Sequence, residues 1–207
     1  EQVIEAYKDV VGRPRREVAS ALVERFDLEE EARARMDELN VSAVWQAFVQ
    51  VRLGYYEEMV SDPDVLRGNR WPHNVELLHV ARETGCRIAL ATMSGRERAE
   101  QVLEALELSD AFDFVATRDD VERGKPDPEI YLLVCDELGT PAERSLAIED
   151  SPSGVEAALA ADVRCIAVTT AFTREKIHAQ GLLEDRWIVD DPGLLPDVVR
   201  RVIEDSK

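Results

Sequence analysis

The stretch LAIEDSPSGVEAALAADVRCIAV, residues 146–168, decides the fold. Its first and last segments are short apolar runs with the look of buried strands, and the segment SGVEAALAA between them has a helical pattern. A strand, a helix and a second strand in this order predict two neighbouring parallel strands, because a parallel pair needs a crossover connection. Glu149 and Asp150 stand where the first strand ends, and ligands of such sheets bind beyond the carboxyl ends of the strands.

The same alternation of apolar runs and helical segments extends outward from this unit. Strands are predicted over 86–92, 112–117, 145–150, 164–170 and 187–191. Helical segments separate them, which predicts a doubly wound α/β core, a parallel sheet with helices on both faces. Residues 1–70 carry helical spacing and no strand-like run. We therefore expect a helical cap domain over 1–70 and the α/β core over 71–207.

Composition limits the compartment and the partners. The net charge of −18 argues against nucleic acid or an anionic membrane as a partner, because both bind positive faces. The sequence has no apolar run long enough to predict a membrane span. Its three cysteines lie far apart in apolar company and are predicted to be buried, reduced thiols, which favours a cytoplasmic protein. We expect a monomer or a weak homodimer.

Polar side chains follow successive strands of the predicted sheet. Thr92 ends the strand run 86–92, Lys125 closes the loop after the next strand, and Glu149 and Asp150 end the third. The carboxyl ends of parallel strands lie at one edge of the sheet, so these groups are expected to meet there. Carboxylate oxygens suit Mg²⁺, and an ammonium group neutralises phosphoryl charge. The pattern predicts a site for a phosphate and a Mg²⁺ ion.

Thr92, Ser94 and Gly95 directly precede a predicted helix, whose first backbone N–H groups can hold anion oxygens. Each signal alone also has an ordinary structural explanation. A Thr or Ser before a helix is commonly an N-cap, as is an acidic residue at a strand end that precedes a helix. The occurrence of all these groups at successive strand ends of one sheet is what favours a phosphate site.

Three segments resemble motifs two, three and four of the haloacid dehalogenase (HAD) superfamily. They are ALATMSGRE (89–97), RDDVERGKPDPEIYLLVCDELG (118–139) and the stretch 146–168 quoted above. The resemblance is closest to the branch that contains β-phosphoglucomutase and sugar-phosphate phosphatases. It is strong over 87–170 and loose over the first seventy residues, which would correspond to the helical cap of this branch.

The resemblance implies a Mg²⁺-dependent phosphatase and a role for each matched residue. Thr92 would hold the phosphate, and Lys125 would pair with the phosphate and with the nucleophilic carboxylate. Asp150 would bind the metal, with Glu149 either as a second ligand or as a partner behind it. Arg15, in the segment GRPR, resembles a substrate-contacting arginine of the cap loop and is equally well explained as a solvated residue at a helix start.

The sequence departs from the HAD pattern at motif one. HAD enzymes have an apolar strand that ends in Asp-x-Asp, whose first aspartate attacks phosphorus and forms an aspartyl-phosphate. No such strand precedes the cap, and WIVDDPGLL (187–195), with adjacent aspartates, is rejected as a substitute. Because the sequence starts at Glu1 and not at Met, we expect the nucleophile in a preceding segment. That strand would be central, so a chain without it would have an open sheet.

The leading hypothesis is a phosphatase of a small phosphorylated metabolite such as a sugar or polyol phosphate. Glu58 stands where the β-phosphoglucomutase pattern has a lysine that contacts the distal phosphate. An acid would repel a second phosphate, which favours a monophosphate phosphatase over a phosphomutase. A non-catalytic phosphate-binding protein is a further alternative. A dehalogenase is disfavoured, because dehalogenases of this superfamily need no metal and the pair Glu149–Asp150 would be unexplained.

Overall fold

The computed structural model describes residues 2–10 and 14–204. The chain divides into two compact units, Glu1–Val65 and Leu66–Lys207. A short helix, α5 (Pro63–Gly68), spans this division. Pro63 is its first residue, a position at which proline is compatible with helix geometry.

The first unit is helical over its described residues. Its helices before α5 are α1 (Gln2–Val10), α2 (Arg15–Arg25), α3 (Glu29–Ala34) and α4 (Val44–Val60). Ala6 and Val10 of α1 are buried against Leu22 of α2, and Phe48 of α4 packs against the same cluster. The helical spacing of these apolar side chains thus produces a small core of its own.

The second unit alternates helices and strands along its whole length. Its helices are α6 (Pro72–Glu83), α7 (Arg96–Ala105), α8 (Glu129–Glu137), α9 (Pro152–Ala160), α10 (Arg174–Gln180) and α11 (Leu195–Glu204). Its strands are β1 (Ala89–Ala91), β2 (Phe114–Ala116), β3 (Leu146–Glu149), β4 (Arg164–Val168) and β5 (Ile188–Val189). Every strand pair is parallel, which confirms the predicted α/β class.

The strands form two separate sheets. One has the order β1–β2 and the other the order β3–β4–β5. Within the described part of the chain, β1 pairs with β2 alone and β3 with β4 alone, so each has one edge without a strand partner. This is the opening expected for a sheet that lacks its central strand.

Helices cover both faces of the β3–β4–β5 sheet. Along β4, Cys165 and Ala167 pack into a cluster that contains side chains of α8 and α9. Ile166 and Val168 pack into a second cluster that contains side chains of α11. Because successive side chains of a strand point to opposite faces, the two clusters lie on opposite sides of the sheet. The doubly wound arrangement is therefore confirmed for this sheet.

The cysteines only partly match the prediction. All three are free thiols, but only Cys165 is buried, while Cys86 and Cys135 are half-buried. Burial and the nearby charge of Glu149 raise the pKa of the Cys165 thiol to about 12, so it stays protonated near neutral pH. Across the ranges 2–10 and 14–204, we find no helix that combines the length and the apolar character needed to cross a membrane.

Candidate functional site

Lys125 connects the carboxyl ends of the two sheets. Its ammonium group donates to the backbone carbonyl of Ala91 at 3.0 Å and to Oε1 of Glu149 at 2.5 Å. Ala91 is the last residue of β1 and Glu149 is the last residue of β3. The side chains of Lys125 and Glu149 are only 9% and 6% exposed, so this ion pair is shielded from water. The two strand ends that the sequence predicted to meet are thus joined by one lysine.

The loop that carries Lys125 is held at both ends by carboxylates. At its start, Asp120 accepts hydrogen bonds from the backbone and the hydroxyl of Thr117, both at 2.7 Å. At its end, Glu129 of α8 accepts the backbone N–H groups of Glu122 and Arg123 at 2.8 and 3.0 Å. These bonds lower the pKa of both carboxyl groups, so both remain acceptors at neutral pH.

The carboxylate of Glu149 is fixed on several sides. The hydroxyl of Tyr131 donates to Oε1, the oxygen that also accepts from Lys125. The hydroxyl of Ser151 donates to Oε2 at 3.3 Å. A Cβ at Gly154 would lie 1.9 Å from the same Oε2, so the carboxylate occupies space that only a glycine leaves. Glu149 thus pairs with Lys125 in this structure. Its predicted role at the metal, as a second ligand or as a partner behind Asp150, stays a prediction.

Sequence reasoning missed Tyr131 and Gly154. Tyr131 lies in a helix whose apolar spacing predicts only that it faces the core. Gly154 lies at the third position of α9, where a glycine carries no pattern signal. The segment 118–139 contained Tyr131, six positions after Lys125, but nothing in that spacing indicates that its hydroxyl reaches the end of β3.

Asp150 follows β3 and is exposed, in contrast to the buried Glu149 beside it. Partial desolvation and, second, the negative charge of Glu149 raise the pKa of Asp150, while Lys125 acts in the opposite direction. A pocket of about 340 Å³ opens at this carboxylate. Its lining residues, all in the second unit, are Trp71, Asn74, Ile148, Glu149, Asp150, Val168 and Thr170.

The acidic residues at this edge fit a Mg²⁺ ion with one or two protein ligands, and not a metal held by protein side chains alone. Among the described residues, no group of three or more His, Cys, Asp or Glu side chains is arranged to hold a metal. Mg²⁺ usually takes one or two protein carboxylates and fills its other positions with water and substrate oxygens. Asp150, exposed at the strand end, fits the role of such a single ligand.

Thr92 directly follows Ala91, whose carbonyl accepts the Lys125 ammonium group. Its hydroxyl accepts the backbone N–H of Ser94 at 3.1 Å, which closes a tight turn after β1. Thr92 and Lys125 thus lie together at the end of β1, although the sequence placed Lys125 only in the loop after the next strand. Ser94 is exposed and contributes to this turn through its backbone.

The amino end of α7 is already occupied by a carboxylate. Gly95 is the residue before α7, and the first helical N–H, that of Arg96, donates to Oδ2 of Asp119 at 2.8 Å. A Cβ at Gly95 would lie 3.4 Å from the same oxygen. The sequence predicted that the N–H groups here would hold substrate oxygens. In this structure the carboxylate of Asp119, and not a substrate oxygen, accepts the first of these N–H groups, that of Arg96.

Arg15 is the first residue of α2, in the first unit, and it is exposed. Gly12 and Arg13, which precede it in the segment GRPR, lie outside the described residues. The groups that meet at the ends of β1 and β3 all belong to the second unit. The specificity role of Arg15 stays a prediction.

Two aspartate pairs resemble motif one without matching its structural context. Asp62 and Asp64 have the spacing Asp-x-Asp, but Oδ1 of Asp62 accepts the N–H of Asp64 at 2.9 Å at the start of α5, and not at a strand end. Asp190 and Asp191 follow β5, which β4 separates from β3. Neither pair follows the two strands that Lys125 joins.

Comparison with known proteins gives a consistent assignment. Residues 4–168 match the sequence model described as haloacid dehalogenase-like hydrolase. Validoxylamine A 7′-phosphate phosphatase from Streptomyces hygroscopicus subsp. limoneus is 36% identical over 118 residues, 55% of this chain and 55% of that protein. A phosphorylated carbohydrates phosphatase from Thermotoga maritima is 42% identical over 91 residues, 44% of this chain and 42% of that protein. The chain thus spans about half the length of these relatives.

A solved structure extends the likeness over nearly the whole chain. The crystal structure of a Thermotoga maritima protein provisionally named a β-phosphoglucomutase superposes with a TM-score of 0.67 and 27% identity. The superposition covers 97% of this chain and 88% of that chain. The fold of both units therefore has a counterpart in one solved protein.

Proposed function

Because the chain belongs to the haloacid dehalogenase-like hydrolase family, we propose that it carries the phosphate site of a Mg²⁺-dependent phosphatase for a sugar or polyol phosphate. The observation that carries this proposal is the buried ammonium group of Lys125 between the ends of β1 and β3. The names of the two phosphatase relatives, which refer to phosphorylated carbohydrates and to validoxylamine 7′-phosphate, support the substrate class.

Lys125 and Thr92 are proposed to hold the phosphoryl group. The ammonium group places a positive charge at the strand ends, where negative charge develops on the transferring phosphoryl oxygens. The hydroxyl of Thr92, anchored at the same strand end, supplies a neutral donor. Ser94 and Gly95 are proposed to line the phosphate, and Arg15 to contact the rest of the substrate. The proposed role of Gly95 requires that Asp119 release the backbone N–H of Arg96, whose hydrogen bond it accepts in this structure.

Asp150 is proposed as the protein ligand of Mg²⁺, with Glu149 holding Lys125 behind it. When bound, the ion would neutralise charge on the phosphoryl oxygens. Removal of Mg²⁺ with a chelator is expected to abolish phosphate release, and Asp150→Asn is expected to raise the Mg²⁺ concentration needed for half-maximal rate at least tenfold, because a neutral amide attracts the ion less. Full rate in the chelator would contradict the proposed metal.

The attacking group is proposed to be an aspartate on an additional strand between β1 and β3. Such a strand would pair with the open edge of each sheet, and its carboxyl end would meet Lys125. The aspartate would attack phosphorus and form an aspartyl-phosphate, while the sugar oxygen would leave as an alcohol with a proton from the second aspartate of the Asp-x-Asp motif. Water would then hydrolyse the aspartyl-phosphate to free aspartate and inorganic phosphate. Lys125 would remain beside the phosphoryl oxygens through both steps.

The test is phosphate release from a panel of sugar and polyol monophosphates, with Mg²⁺, by a protein that carries the proposed additional strand. Lys125→Ala is expected to lower kcat/KM by about 10²–10³, because it removes one charged group from the transition state. Lys176→Ala on α10 is the matched control and should keep the parent rate. Unfolding midpoints are measured in parallel, since Lys125→Ala leaves the carboxylate of Glu149 buried without its cation.

The outcomes separate the alternatives. An unchanged rate in Lys125→Ala, or no turnover of any monophosphate, would contradict the phosphatase. Turnover that requires a bisphosphate activator would indicate a phosphomutase. Binding of phosphate and Mg²⁺ without turnover would indicate a binding protein.

A further inference from the structure

We infer that Tyr131 is a positioning residue that aims the ammonium group of Lys125 through Glu149. This inference rests on the proposed function for its catalytic consequence, but its structural part can be tested without turnover. It concerns the hydroxyl group of Tyr131, not the ring that fills the core.

Tyr131 contacts both members of the buried ion pair. Its hydroxyl donates to Oε1 of Glu149, and the same oxygen accepts from Lys125 at 2.5 Å. The ammonium nitrogen of Lys125 also lies 5.0 Å from the centroid of the Tyr131 ring, a distance typical of a cation–π contact. Tyr131 is 7% exposed, so water does not compete for these contacts.

The hydroxyl of Tyr131 keeps its proton at neutral pH and can donate it in a hydrogen bond. Burial and, second, the negative charge of Glu149 raise the pKa of Tyr131 well above its ordinary value. Oε1 of Glu149 therefore accepts one hydrogen bond from the neutral hydroxyl of Tyr131 and one from the ammonium group of Lys125. The hydroxyl fixes where that oxygen lies, and that oxygen fixes where Lys125 points.

The other side of the carboxylate cannot take over this task. The hydroxyl of Ser151 donates to Oε2 at 3.3 Å, which is a long hydrogen bond. Gly154 makes room for the carboxylate but has no side chain that could donate to it. Without the Tyr131 hydroxyl, Oε1 would be held by Lys125 alone, and the two side chains could move together. Lys125 would keep its bond to the carbonyl of Ala91, so we expect a misdirected ammonium group and not a lost one.

The first test uses the accessibility of Lys125 in the 207-residue chain. The chain has only four lysines, so the acylation rate of each amine at fixed pH can be followed by peptide mass spectrometry. Tyr131→Phe, which keeps the ring, is expected to speed acylation of Lys125 at least threefold. The rates at Lys8 and Lys176 should not change.

Ile130→Val is the control for general loosening of α8. Ile130 is fully buried and adjacent to Tyr131, and the change removes one methylene from the core. It should leave the acylation rate of Lys125 at the parent value. Equal rates in Tyr131→Phe and the parent, or an equal increase in Ile130→Val, would overturn the inference.

The second test is steady-state kinetics of a protein that carries the proposed additional strand, with and without Tyr131→Phe. A misdirected ammonium group should lower kcat roughly tenfold with a smaller change in KM, since small misplacements act mainly on the transition state. A merely structural role would change the unfolding midpoint and leave kcat of the folded enzyme unchanged, which would overturn the catalytic part. If the parent protein releases no phosphate, the proposed function fails, and the acylation rates still decide whether Tyr131 positions Lys125.

Discussion

At the scale of single residues, Gly154 permits the carboxylate of Glu149 to lie against the first turn of α9. Gly154→Ala would place a Cβ 1.9 Å from Oε2, far inside van der Waals contact. The carboxylate must then move, and with it the bonds to Lys125 and Tyr131. We expect a loss of about 1–3 kcal/mol in the free energy of unfolding, the usual result of overpacking a buried site. Urea unfolding of the 207-residue chain measures this.

Gly54→Ala is the matched control for this change. Gly54 lies in the interior of α4, is exposed, and has no atom within 4 Å of an added Cβ. Alanine there should raise the stability by about 0.5–1 kcal/mol, because glycine is a poor helix former. A Gly154→Ala protein that is as stable as its parent would show that Glu149 does not lie where the structure places it.

At the scale of elements, the loop between β2 and α8 depends on an ionised Asp120. Its carboxylate accepts from Thr117 and from the guanidinium group of Arg96 at 2.6 Å. Hydrogen bonds from Thr117 and the charge of Arg96 lower the pKa of Asp120. A carboxyl group with a lowered folded-state pKa stabilises the fold above its unfolded pKa, about 3.9 for aspartate. This contribution is lost as the pH falls through the lower, folded-state pKa.

Asp120→Asn should therefore remove stability at neutral pH but little at low pH. We expect a loss of about 1 kcal/mol at pH 7, less than the roughly 1.5–3 kcal/mol of a shielded hydrogen bond to a charged group because Asp120 is exposed to solvent. The two proteins should converge at the acid end of the pH series. Urea midpoints from pH 7 down to pH 3 measure the difference. A deficit that stays constant with pH would mean that the ionised form of Asp120 carries no special contribution.

The helices of both units could be predicted because apolar side chains recur at helical spacing, and the strands of the second unit because they are short apolar runs between helical segments. The residues just after β1, β2 and β3 could be predicted as a group, because parallel strands end at one edge. The contacts between the side chains of these residues could not be predicted. Spacing indicates the face that Tyr131 occupies but not the atom its hydroxyl meets, and Asp119 reaches the end of α7 from a loop with no periodic pattern. These contacts depend on loop geometry that local sequence does not specify.

At the scale of the whole second unit, the parallel strands form two sheets. Lys125 contacts the end of β1 in one sheet and the end of β3 in the other. Unpaired strand edges expose backbone N–H and C=O groups that another strand can use. A strand between β1 and β3 would unite the two sheets in the order β2–β1–new strand–β3–β4–β5 and would bring its last residue to Lys125. The strand proposed to carry the attacking aspartate would thus also pair with the open edges of β1 and β3.

Hydrogen exchange can test this strand directly. In the 207-residue chain, the amides of β1 and β3 that point away from β2 and β4 should exchange much faster than those of Ile166 and Ala167 in the central strand β4, because no strand pairs with them. In a protein that carries the proposed strand they should slow to the rates of β4, since paired amides exchange only through larger openings. If these edge amides are equally protected in the 207-residue chain, its sheet is already closed. If they remain fast in a protein that carries the proposed strand, that strand does not enter between β1 and β3, and the proposed nucleophile must reach Lys125 from another element.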